Sequence, residues 1–299
     1  MRKTIFIIAL LMIKAGAIQA EETNLLSDKE FWLPLKIENE KYTNYFFEYS
    51  RGASTSVKTD INIKYGNTDV NFQGVLLEPE AYPWGYSQYR FFSIIFGDDQ
   101  GDLIGAFTEP YYAMRISYFL KRYPYFGFGL EHTHFKVFLN DLSQNVTVKG
   151  TVNGSSVNQT APISNYMSMF SISHGVNHLG FTAFYRLMLY KTPEIPDGYI
   201  QPYISLSIGP AVPHVEIIYL ENDLPVAETY NYQLSLANWG FSLNLGSRFK
   251  FTNNIGCYLE SKVAYSILNG MTFEGDNGEG EIDTSFLTYH IQFGLTLAL

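Results

Sequence analysis

The sequence predicts an all-β chain, an antiparallel β-barrel that crosses a membrane, and three observations predict it. The last dozen residues alternate strictly: Tyr289, Ile291, Phe293, Leu295, Leu297 and Leu299 against Thr288, His290, Gln292, Gly294, Thr296 and Ala298. Tyr and Phe number 23 each while charged residues make up only 16%, against about 25% in ordinary soluble domains. Beyond the N-terminal segment no apolar run reaches the roughly 18 residues that a membrane-crossing helix needs. Apolar-out, polar-or-small-in strands without membrane helices are the pattern of a transmembrane barrel.

The elements follow in chain order. Arg2 and Lys3 precede an apolar run from Ile5 to Ile13, and small residues lead to a cut after Ala20, so residues 1–20 read as a signal peptide. Cleavage there removes Arg2, Lys3 and Lys14 and no acidic residue, taking the net charge from −9 to −12. That balance disfavours nucleic acid, whose phosphates require a basic face. Residues 21–42 are expected as a periplasmic N-terminal segment and 43–299 as the barrel. Cys257 is the only cysteine, which excludes an internal disulfide or a cysteine-based zinc site.

Within the barrel, residues 43–51 form a first strand, followed by 111–120, 125–138, 168–190, 199–219, a strand from Trp239, 256–268 and the C-terminal strand. Connections 123–124, 192–198 and 252–254 are short. Those at 141–165, 221–231 and 269–283 are longer and polar or Gly-rich. Short periplasmic turns alternating with long external loops give eight strands. Residues 52–109 contain strand-like 61–65, 70–77 and 89–96, so ten strands are the alternative; otherwise this stretch is an extended first outer loop. The C-terminus, a polar residue, Gly294 and terminal hydrophobics, resembles the signal read by the barrel assembly machinery, with Leu299 in place of the usual aromatic.

Alternate residues of a strand share a face. Glu131, in phase with Gly127, Gly129 and Thr133, points inward, and Arg115 across the hairpin is its expected partner. Glu260 and Lys262 form a second inward couple, and His290 fills the lumen. Paired interior charges are how a narrow barrel fills itself. By the same count His134 and Lys136 continue the outward phase of Phe126, Phe128 and Leu130, and His214 and Glu216 that of Ile204, Leu206 and Ile208. Asn177 and Gln233 fall in outward phases of the neighbouring strands. These polar groups end lipid-facing stripes at the external rim, at the depth of a lipid headgroup, where polar residues also serve as ordinary anchors. Pro210 and Pro213 can shift the register of His214 through a bulge.

The candidate site is therefore His134, Lys136, Asn177, His214, Glu216 and Gln233, with Glu131 joining if His214 and Glu216 turn inward. Two imidazoles and a carboxylate, His134, His214 and Glu216, suit a divalent transition metal. Alternatively His214, polarised by Glu216, is a general base and Lys136 attracts phosphate.

Several motifs carry a family resemblance. Pro110-Tyr-Tyr-Ala-Met-Arg115, Gly129-Leu-Glu-His-Thr-His-Phe-Lys-Val137, Gly175-Val-Asn177 with Tyr185-Arg186, Val212-Pro-His-Val-Glu216, Tyr232-Gln-Leu234 and Glu260-x-Lys262 with Tyr265-Ser266 resemble, in order and spacing, the lipid A oxidases. The similarity runs from about Tyr111 to Leu299. It implies an outer-membrane enzyme whose substrate is the lipid A of lipopolysaccharide. Molecular oxygen as co-substrate, with a divalent metal, converts the proximal glucosamine into 2-aminogluconate. A lipid A deacylase is the hydrolytic alternative; in His174-Gly-Val-Asn177, however, Val176 stands where that family places its nucleophilic Ser. A structural or adhesive surface barrel is the non-enzymatic one.

Overall fold

The structure, a computed structural model, describes residues 42–79, 111–221, 224–232 and 237–299. The expected signal peptide, nearly all of the N-terminal segment, the 89–96 stretch and Gln233 lie outside the described residues.

Eight strands close a ring. They are β1 (Tyr45–Ser56), β4 (Tyr111–Phe119), β5 (Phe126–Phe135), β10 (His178–Arg186), β11 (Ile200–Pro210), β14 (Trp239–Lys250), β15 (Ile255–Gly275) and β16 (Gly278–Ala298), with β16 returning to β1. Every neighbouring pair in the ring is antiparallel. The eight-strand reading holds, and the alternation holds with it. Along the strand-to-strand direction, register partners Phe47, Ile116, Leu130, Phe181, Ile208, Phe241 and Tyr265 all face outward and are exposed. Tyr289 to Leu299 forms the matching stripe along β16. At the strand rise and tilt typical of such barrels, those eleven residues span about 26 Å, the height of a bilayer's apolar layer.

The interior is packed. Arg115 donates to Glu48 Oε2 (2.6 Å), Glu131 Oε2 (3.0 Å), Glu260 Oε2 (2.7 Å) and the Tyr203 hydroxyl (3.0 Å). Arg248 donates to both Glu48 oxygens, Lys262 to Glu131 and Thr133, and Gln292 to Glu260. Aromatic faces close around the guanidinium groups: Arg115 lies over Phe184, Tyr203 and Tyr258, and Arg248 over Phe46 and Tyr203. All four residues expected to face inward do so and Arg115 pairs with Glu131, but Lys262 pairs with Glu131 and Glu260 with Arg115 rather than with each other; His290 fills the lumen between Tyr111 and Phe135.

The strand-like stretches 61–65 and 70–77 are strands, though outside the ring, and the expected loops 141–165, 221–231 and 269–283 are largely strands as well, which is the main correction. β15 and β16 continue far past the ring as one hairpin. On one side of it lie β2 (Thr59–Tyr65), β3 (Thr68–Val75), β7 (Asn145–Val152) and β8 (Ser155–Pro162). On the other lie β13 (Leu224–Tyr232), β12 (His214–Glu221), β9 (Met167–Ile172) and β6 (Val137–Phe138). The two wings share one apolar core: Ile63, Phe72 and Val148 from the first side, Phe170, Ile217 and Tyr219 from the second, and Phe273 from the hairpin. Phe72 meets Tyr166 edge-on at 5.4 Å, and Tyr65 lies 5.5 Å from Phe273. The sequence reading missed this because the extension reverses the barrel's polarity. Its apolar faces point inward, so they look like ordinary half-buried hairpins inside polar connections.

Three expected strands are also each two: 125–138 divides into β5 and the short β6, and the other two break at turns. Residues 168–190 divide into β9 and β10 at a turn over 173–177, where Gly175 has φ 86° and Asn177 φ 50°. Residues 199–219 divide into β11 and β12 at 211–213, the segment that contains Pro213. Each first or second half leaves the barrel for the extension, so both breaks lie at the junction of the two parts.

Candidate rim site

The two breaks are neighbours. The Val212 amide donates to the carbonyls of Val176 (3.0 Å) and Asn177 (3.2 Å), and the His214 amide donates to Gly175 O. The Asn177 side chain ties them together, its Nδ2 donating to the carbonyls of His174 (2.9 Å), Gly175 (3.0 Å) and Val212 (3.1 Å). An Asn suits this place because its short amide side chain tolerates a left-handed backbone and bonds locally.

Asn177 Oδ1 also meets His134 Nδ1 at 2.9 Å. The His134 ring stacks on Tyr112 at 5.0 Å and lies against the bare Cα of Gly175. His134 thus keeps its outward parity but is covered by Tyr112, Gly175 and Asn177, with 8% of its surface exposed. Lys136 and His214 are likewise buried. The expectation that these side chains face lipid is therefore corrected. Parity holds only while a strand runs on straight, whereas the chain turns into the extension at this level and covers them.

His214 and Glu216 do come together, but their third partner is His174 rather than His134. The Nδ1 atoms of His174 and His214 are 3.1 Å apart, and each is 3.8 Å from Glu216 Oε1. These are the donor atoms of a three-residue group able to hold a metal ion. The other Glu216 oxygen accepts from Ser171 Oγ (2.9 Å), the register partner of Glu216 on β9. Ser173 Oγ lies 3.1 Å from His174 Nδ1 and 3.5 Å from His214 Nδ1. Burial and the neighbouring His174 ring hold the His214 imidazole below its ordinary pKa, with Glu216 pulling the other way. The His174 side chain is more than half exposed, so the cluster opens outward from a buried base.

Glu131 is not part of this group; its carboxylate is held in the interior by Arg115, Lys262 and Thr133. Among the described residues of this group no hydrolytic relay forms either. Val176 is fully buried in the extension core, and Ser173 and Glu216 both approach the imidazoles at Nδ1. In a nucleophile–His–acid relay the nucleophile and the acid occupy opposite ring nitrogens. His174, Ser171 and Ser173 escaped the sequence reading. The available signal was Gly175, which breaks strand parity and returns His174 toward the next strand.

No family profile and no curated protein matches the chain. Several solved structures do resemble it. The outer membrane protein OprG from Pseudomonas aeruginosa covers 86% of this chain and 98% of its own at 11% identity, TM-score 0.38. The outer membrane protease OmpT from Escherichia coli covers 88% and 99% at 10% identity, TM-score 0.39. Outer membrane protein AlkL covers 89% and 94% at 10% identity, TM-score 0.33. The barrel assignment rests on the closed ring itself.

Proposed function

We propose that this chain is an outer-membrane protein that modifies the headgroup of lipid A at its external rim, oxidising the proximal glucosamine to 2-aminogluconate with molecular oxygen. The observation that carries the reading is the meeting of His174, His214 and Glu216 just beyond the apolar belt, where the barrel gives way to its extension. A lipid anchored in the outer leaflet brings its sugar to that height. The packed interior also supports a role at the rim, since Arg115, Arg248 and their carboxylates occupy the lumen.

The chemistry balances simply. The C1 hemiacetal of the sugar gives up two electrons and two protons, oxygen takes them and leaves as hydrogen peroxide, and water opens the resulting lactone. The product has one more oxygen than the substrate. A divalent metal, when bound, would supply the site at which oxygen is reduced. The chain's own residues would hold the sugar at the open side of the cluster, beside the exposed His174. Lys136 is buried just past the end of β5.

The test is mass spectrometry of lipid A after expression in a strain that lacks such modifications. A one-oxygen gain that disappears in His214→Ala and Glu216→Gln is the expected result. Loss of an acyl chain would instead indicate hydrolysis. No change in the lipid A of a strain offering a suitable acceptor favours the second reading, a non-enzymatic surface barrel. The strand-built extension supports that reading, because a rigid external platform needs no reaction to be useful.

A further inference from the structure

We infer that His174, His214 and Glu216 form a mononuclear site for a first-row divalent transition metal, bound through the two Nδ1 atoms and Oε1. Two unprotonated ring nitrogens 3.1 Å apart repel each other unless a proton or a cation lies between them. Around one metal with bonds of about 2.0–2.1 Å, tetrahedrally related donors lie about 3.3 Å from each other. The observed separations of 3.1, 3.8 and 3.8 Å differ from that by no more than about half an ångström.

The surroundings behave as a supporting shell. Ser171 engages Glu216 Oε2 and so turns Oε1 toward the imidazoles. Such outer hydrogen bonds orient ligands and tune affinity about 10- to 100-fold. His214 is fixed by the hydrogen bond its backbone N–H donates to the Gly175 carbonyl and by the short segment that ends at Pro213. His174 is exposed and sits on the open side, so the three donors occupy one face. Two imidazoles and one carboxylate on one face, with the other positions open, is the donor set of oxygen-using non-haem iron sites. First-row divalent ions share this donor set, and Co²⁺ serves as the spectroscopic probe. His134, whose Nδ1 is engaged by Asn177, supports the turn and is not a ligand.

This deepens the rim-site reading and rests on it for the substrate, while the metal is measured without any lipid. Full-length protein, purified in detergent and stripped with chelator, is titrated with Co²⁺ alone and followed by visible absorption and by bound cobalt per chain. One equivalent is expected, with affinity reduced at least 100-fold in His174→Ala, His214→Ala and Glu216→Gln. Ser171→Ala, a positioning change, is expected to weaken binding while retaining the one-metal stoichiometry and the ligand-field bands. His134→Gln also retains one equivalent. Heat-modifiable migration on electrophoresis establishes that each variant has folded. Absence of saturable binding in the folded wild type overturns the proposal, as does undiminished binding in a folded His174→Ala His214→Ala double variant. One bound cobalt with lipid A unaltered upholds the metal site and removes the oxidation reading.

Discussion

Gly175 lies directly beneath the His134 ring: a Cβ built on Gly175 would stand 2.5 Å from both Cε1 and Nδ1. The contact joins β5 to the turn that presents His174. Because φ is 86° at Gly175, an L side chain is strained there as well as obstructed.

Gly175→Ala is therefore expected to displace His134 and the 173–177 turn together. Cobalt affinity should fall at least tenfold while the barrel still assembles, as read by heat-modifiable migration. Unchanged affinity would mean that the turn does not set the His174 position.

Arg115 bridges three buried carboxylates, those of Glu48, Glu131 and Glu260, with Arg248 and Lys262 supplying the remaining positive charge. Arg115→Met leaves them short of a partner in a water-poor interior. Breaking such a pair typically costs about 3–5 kcal/mol. The expected observation is a lower urea midpoint for unfolding from lipid vesicles, with no change in the cobalt spectrum.

The filled lumen predicts that the reconstituted protein conducts no ions. Planar bilayer recordings should show no discrete openings at moderate voltage. Regular unitary steps would contradict the packing of Arg115, Arg248, Tyr203 and Tyr258 described above.

Phe72 is fully buried in the extension core and touches Tyr166 across it. Phe72→Ala should cost about 3–5 kcal/mol, the range for removing a buried Phe side chain. The loss should fall on the extension. Limited proteolysis of the variant is expected to cut within β2, β3, β7 and β8 while the ring stays protected, and cobalt binding tests whether the rim survives.

The sequence by itself determined the ring. Period-two alternation in β16, β15, β14 and β5 depends only on local geometry, and lipid outside with a narrow interior inside selects side chains residue by residue. The inward facing of Arg115, Glu131, Glu260 and Lys262 followed from the same parity, and so did the Arg115–Glu131 pair, because register across a hairpin is short-range information; that Glu260 pairs with Arg115 and Lys262 with Glu131 was decided by closing the ring. Tertiary structure alone decided the rest. Parity ceases to carry meaning where Gly175, Asn177 and Pro213 break the strands, so Lys136 and His214 are buried rather than lipid-facing, and His134, though outward in parity, is covered by the turn. The third member of the cluster, His174, is 40 residues from His214, and what brings them to 3.1 Å is the apolar core of the extension folding β9 onto β12. Local alternation tells a side chain which wall it faces. Which side chains meet depends on where the chain bends and on what it packs against, and neither is written in any single strand.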